Sequence, residues 1–142
     1  MKINYRCKIE KQDDGRFLVT FPDFDEALTE GQTYEEALFN AEEVLTLTLE
    51  GRMEEGMPIP LPTLDANKGE ELVLPSPRVQ AALLVKLSRG QHTLADLART
   101  LETSWPSVAR LEDPHHWSSL KQLSKTATAL GQKLVLSFEK QL

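Results

Sequence analysis

The sequence has 142 residues, 40% hydrophobic and 27% charged, with a formal net charge of -6. Those values fit a soluble globular chain of one ordinary domain or two small ones, and exclude a disordered one. No apolar run approaches the roughly 18 residues that a membrane span needs, MKINYRCKIE lacks the continuous apolar segment of a signal peptide, and the single Cys7 excludes an internal disulfide. A reducing, cytoplasmic setting is therefore expected, with no membrane partner.

Ile3, Tyr5, Cys7 and Ile9 alternate with polar residues, which predicts a strand with one buried face. On that phase Cys7 is a small buried hydrophobe rather than a reactive thiol. KQDDG is a turn, and Phe17, Val19 and Phe21 alternate again, so an antiparallel hairpin is expected, ended by Pro22. Asp23, Asp25 and Glu26 then cluster in a loop, and Ala27-Leu28-Thr29 gives a third short strand before Gly31. Thr33 and Glu36 have capping-box spacing and open a helix. Its inner face is Tyr34, Ala37, Leu38, Ala41, Leu45, Thr48 and Leu49; Glu35, Glu42, Glu43 and Glu50 fall mostly elsewhere and stay wet. Gly51 is the expected stop. MPIPLPTLDANKG is too proline-rich for a helix or central strand, and Glu71 to Leu74 returns as a strand. Three strands, a helix, a proline-rich connection and a strand make a small α+β sheet with its helix on one face.

Pro75-Ser76-Pro77 separates a second module, giving expected domains at 1–75 and 76–142. Ser76 is placed to cap a helix with Pro77 at its first position. That helix carries Val79, Ala82, Leu83 and Leu87 inward and ends at Gly90. Thr93 caps the next, with Asp96 three residues on and Leu94, Leu97, Ala98 and Leu101 inside. The small Ala98 suits a close helix crossing. Ser104 caps a third helix carrying Val108 and Leu111. A fourth runs from about Ser119 to Leu130, using Leu120, Leu123, Ala127 and Leu130, and stops at Gly131. LVLSF, Leu134 to Phe138, reads as a strand. The modules differ in charge: residues 1–75 hold 7 basic and 17 acidic side chains, net -10, and residues 76–142 hold 9 and 5, net +4. An acidic half suits a basic partner, and a basic half can approach phosphate.

The first module resembles the HicB antitoxin family through GRFLVTFPDFDEALTEGQTYEEALFNAEEVL: the hairpin ending in Phe-Pro-Asp, the Thr29-x-Gly31-x-Thr33 stretch and the Glu-Ala-Leu-x-x-Ala helix start. Asp25-Glu26 stands where many relatives have Pro-Gly. The second resembles the phage-repressor (Cro/C1) helix-turn-helix through Thr93, Leu97, Ala98, Leu101, Ser104, Val108, Arg110 and Glu112, and through SLKQLSKTATALGQKL. Glu102 departs from it, standing where the family has a turn glycine; positive φ there costs on the order of 1 kcal/mol.

The resemblance implies an α+β fold: a small degenerate ribonuclease-H-like sheet-plus-helix domain, then an all-α helix-turn-helix domain with a short C-terminal strand. It implies an antitoxin that neutralises a small basic HicA-type messenger-RNA-cleaving toxin and represses its own operon as a homodimer, or higher even oligomer, on palindromic operator DNA. By family position Ser104, Trp105, Pro106, Ser107 and Arg110 meet base edges, and Gln91, Thr93 and Arg99 meet phosphates. Toxin contact falls on Phe21, Asp23, Phe24, Asp25 and Glu26. Trp105 divides evenly between DNA contact and packing, whereas Trp117 reads as structural. His92, His115 and His116 match no zinc spacing. The carboxylates do not converge from several strands as two-metal nuclease chemistry requires, so no enzyme activity, metal or cofactor is expected. The alternative is a stand-alone repressor whose first domain senses a ligand or oligomerises.

Overall fold

A computed structural model describes residues 1–140. The chain divides into two compact units, residues 1–76 and 77–142. Unit 1 contains β1 (Tyr5–Lys11), β2 (Phe17–Phe21), β3 (Phe24–Gly31), α1 (Tyr34–Glu55) and β4 (Glu70–Val73). Unit 2 contains α2 (Pro77–Arg89), α3 (Leu94–Thr100), α4 (Trp105–Leu111) and α5 (Leu120–Ala129). This is the expected α+β architecture.

The sheet of unit 1 is antiparallel throughout, in the order β3-β2-β1-β4. The alternation in β1 buries Ile3, Tyr5 and Cys7 beneath α1, with Val19, Phe21, Phe24 and Val73. Burial pushes the Cys7 thiol up to about 12, helped by the nearby Glu71 and Glu70 carboxylates. Tyr5 packs edge-on against Phe24 at 4.9 Å and donates to the Pro60 carbonyl at 2.8 Å, which ties the proline-rich connection to the sheet. Tyr34 donates to Glu71 at 2.6 Å, binding the start of α1 to β4.

The first turn of α1 is capped as expected by Thr33, whose hydroxyl accepts from the Glu36 amide; the returning carboxylate bond of a full capping box does not form. Gly31 explains the Thr-x-Gly-x-Thr spacing. A Cβ there would lie 2.3 Å from the Ala37 amide nitrogen, so only glycine lets β3 turn into α1. Gly51 does not stop the helix. Residues 52–55 are good helix formers, and α1 continues to Gly56, which takes the left-handed cap with φ 67° ahead of the prolines. Glu50 is also buried rather than wet, while the apolar Phe39 and Leu47 lie on the exposed side.

Unit 2 packs Val85, Leu97, Ala98, Val108 and Leu111 into one core, flanked by Leu94, Leu101, Leu123, Ala129 and Leu130. Thr93 and Ser119 each form a full capping box, with Asp96 and Gln122, and Gly90 and Gly131 take left-handed stops. Four expectations change. Pro77 does begin α2, but the buried Ser76 hydroxyl has no hydrogen-bond partner among the described residues and so does not cap it. Leu120 is exposed because it sits in the first turn of α5, and Thr126 is buried instead, its hydroxyl donating to the Gln122 carbonyl at 2.7 Å. Trp117 is exposed in the 113–117 loop and does not pack between helices. Leu134 to Phe138 forms no strand, since no other strand of unit 2 is present among the described residues to pair with it.

Candidate functional site

In unit 1 the carboxylates lie at the end of the β2–β3 hairpin. Pro22 and Asp23 form its two-residue turn. Thr20 pairs with Leu28 and Phe21 with Phe24, so residues 25–27 bulge from β3. Asp25 and Glu26 are therefore on a bulged edge strand rather than in a free loop, and the bulge re-aims their side chains. Phe21 and Phe24 are buried and hold this end from beneath.

Two arginines organise the acids. Arg52 meets Glu26 with two bonds of 2.7 Å, donates to the Pro58 carbonyl at 3.0 Å and stacks 4.8 Å from the centre of the Phe24 ring. The paired guanidinium holds the Glu26 carboxyl down at about 2. Arg6 lies 3.2 Å from Asp23, and Thr63 receives the Arg6 amide at 3.2 Å. Asp25 is exposed. Each acid is thus either paired or facing solvent, and no group of three or more His, Cys, Asp or Glu that could hold a metal exists among the described residues. What this end of the unit can do is present a pre-ordered acidic edge.

In unit 2, α3 and α4 are joined by a short turn in which Glu102 has φ 53°, the only positive φ at a non-glycine residue among those described. This is the position at which the resembled repressor family has a turn glycine. Ser104 caps α4, accepting from the Ser107 amide at 3.3 Å, and the two hydroxyls lie 2.9 Å apart. Pro106 sits in the first turn, where no intrahelical amide bond is lost. Ser104, Trp105 and Pro106 are exposed, Ser107 is half-buried and Arg110 is exposed one turn on. Gln91 and Thr93 lie exposed at the start of α3. Arg99 is exposed and paired with Asp96, a surface pair weak enough to yield to another anion. The arrangement presents hydroxyls, an indole and a guanidinium on the open side of one short helix.

Sequence reasoning missed the contact that fixes that helix. Arg89 at the end of α2 grips Glu112, the C-cap of α4, with bonds of 2.5 and 2.9 Å, and donates to the His92 carbonyl at 2.6 Å. The side chains are only 17% and 11% exposed. Glu112 was among the repressor-like positions, but nothing local points to its partner 23 residues away.

A family model described as a HicB-like antitoxin of bacterial toxin-antitoxin systems matches residues 4–83. The chain is 31% identical over 137 residues to the protein named antitoxin HicB 1 of Photorhabdus laumondii, covering 96% of this chain and 88% of that one. It is 28% identical over 135 residues to antitoxin HicB of Escherichia coli K12, covering 94% and 98%. No helix among the described residues is long and apolar enough to cross a membrane.

Proposed function

We infer the function from one premise: the chain belongs to the HicB-like antitoxin family of bacterial toxin-antitoxin systems. It is a regulatory protein that acts by binding, not an enzyme. Unit 1 binds a small basic HicA-type toxin and blocks its cleavage of messenger RNA. The acidic edge around Asp23, Asp25 and Glu26 makes the contact, with Phe21 and Phe24 supporting it from the core. Because Arg52 and Arg6 already order two of the acids, little side-chain entropy remains to be lost on docking. The observation that carries this half of the reading is the family match, which spans nearly all of unit 1.

Unit 2 binds the operator of its own operon as a Cro/C1-type helix-turn-helix, with α4 entering the major groove. Ser104, Trp105, Pro106, Ser107 and Arg110 face bases; Gln91, Thr93 and Arg99 face phosphates. Supporting it are the exposed first turn of α4, the left-handed Glu102 in the preceding turn, and the +4 charge of this half of the sequence.

The test uses the tagged full chain, expressed with its neighbouring genes. Co-purification of a small basic protein that arrests growth when expressed alone, and whose RNA cleavage stops on adding this chain, is the expected result. Binding of promoter DNA is measured beside it, and Arg110→Ala should weaken it by roughly 1–3 kcal/mol for a lost base contact. Recovery of no such protein, with promoter binding intact, would leave a repressor without a toxin.

A further inference from the structure

Helix α1 turns apolar side chains in two directions. Its inner face is filled by Ala37, Ala41, Leu45 and Leu49, buried at steps of four. Phe39 and Leu47 point the other way and are 61% and 65% exposed. They stand eight residues apart with Glu43 midway, so the three share one outward stripe, its ends about 12 Å apart along the helix axis. Two large apolar side chains on one stripe leave surface that burial would stabilise.

Charge selects what can cover it. Glu35 and Glu36 stand one turn before Phe39; with Glu43 they are exposed, and their carboxylates have no partner among the described residues. The helix holds seven glutamates and one basic residue, Arg52, which Glu26 already engages. A second copy of α1 laid on this face would set acid against acid, and a phosphate backbone or an anionic lipid surface would meet the same repulsion. The complement is a basic protein surface with apolar sockets.

The acidic edge needs such an extension. Phe21 and Phe24 are buried there, so Asp23, Asp25 and Glu26 are left to make its outer contact. A specific interface buries roughly 800 Å² on each partner, which takes about 20 residues or more. The nearest surface of unit 1 that can add to it is α1. Arg52 ties the last turn of α1 to Glu26, and Asn40 donates to the Glu30 carbonyl at 2.8 Å, so the helix runs alongside β3 between these two ties.

We propose that the outward face of α1, centred on Phe39, Glu43 and Leu47, is a second part of the surface that binds the basic toxin. This deepens the toxin-binding reading and rests on it. Phe39 and Leu47 are the anchors that enter apolar sockets and set how long the complex lasts. The glutamates around them steer the encounter and exclude partners of the wrong charge.

The test measures, by biolayer interferometry, the affinity of the full-length chain for the small basic protein that co-purifies with it. Phe39→Ser and Leu47→Ser should each weaken binding about tenfold, mainly through faster dissociation. Glu43→Lys should slow association and reduce its dependence on salt. Leu64→Ser is the control: Leu64 is 90% exposed in the proline-rich connection, and its loss should leave affinity unchanged. All four side chains are exposed, so the variants are expected to fold, and circular dichroism checks this. Affinity unchanged by Phe39→Ser and Leu47→Ser overturns the inference and leaves the toxin reading standing. So does an equal loss in Leu64→Ser. An oligomer of the chain alone that dissociates on Phe39→Ser would assign the face to a second copy and overturn it too. Capture of no basic protein by the wild type overturns both readings.

Discussion

At the β3–α1 junction of unit 1, a Cβ on Gly31 would collide with the backbone of Ala37. At the α3–α4 turn of unit 2, Glu102 holds φ 53° with a full side chain. The first site obeys its local rule and the second breaks it. The arginine clamps differ in parallel. Arg52 holds a Glu26 that is 44% exposed, whereas the Arg89–Glu112 pair is nearly shut off from water. Local preference therefore secures unit 1 where its sheet meets its helix. Unit 2 sets a strained turn against a buried long-range contact, and does so beside the helix proposed to read DNA. Strain of this kind persists where the surroundings over-determine it and gathers at functional sites.

The largest expected effect tests the unit 1 side. Gly31→Ala drives a methyl group into backbone that cannot step aside, and should destabilise unit 1 by about 3 kcal/mol. Tyr5 and Tyr34 are the only tyrosines, and Trp105 and Trp117 the only tryptophans, so tyrosine absorbance reports unit 1 and tryptophan fluorescence unit 2. In urea the tyrosine transition should move to lower concentration while the tryptophan transition stays. Equal shifts in both would show that the two units do not unfold separately.

Glu102→Gly tests the other side with the opposite sign. Glycine takes positive φ without the Cβ penalty, offset in part by its freer unfolded chain. The net gain expected is about 1 kcal/mol, read from the tryptophan transition. Loss of stability would mean that the Glu102 side chain contributes more than its backbone costs. Operator affinity measured on the same variant would show whether the strain matters for binding.

What the sequence made legible follows the same division. Thr33, Thr93 and Ser104 announced their helices because a cap acts within three residues, whereas Ser76, read in the same way, does not cap α2. The strain at Glu102 was legible only through the resemblance to the repressor family, which has a glycine at that turn position. Gly51 misled because glycine is tolerated inside a helix that packing supports, and the true stop needed both the left-handed Gly56 and the prolines beyond it. Asp25 and Glu26 read as loop because a bulge breaks the alternation that identifies a strand. LVLSF has the composition of a strand, but strand formation is a property of a pair, and no other strand of unit 2 is present among the described residues. The two clamps were illegible because they join residues 26 and 23 positions apart, which no local pattern encodes. At the acidic edge, the burial of Phe21 followed from the alternation of its strand, whereas the burial of Phe24 and the pairing of Glu26 with Arg52 had no local signal.

The smallest effect separates the exposed clamp from the buried contacts by pH. Arg52 lowers the Glu26 carboxyl from its ordinary 4.5 to about 2. A depressed carboxyl contributes stability above its unfolded pKa and loses that contribution as pH falls through its folded one. Wild type should therefore exceed Glu26→Gln in the tyrosine transition at pH 6. Solvent screening of a half-exposed pair keeps that margin below about 1 kcal/mol. The margin should shrink below pH 4.5 and vanish near pH 2. Raising salt at pH 6 should also narrow it, because exposed charges are screened. A margin that persists unchanged at pH 2 would assign the contribution of Glu26 to packing and hydrogen bonding. The acidic edge of unit 1 would then be held by shape, and the contrast between the two clamps would reduce to their depth.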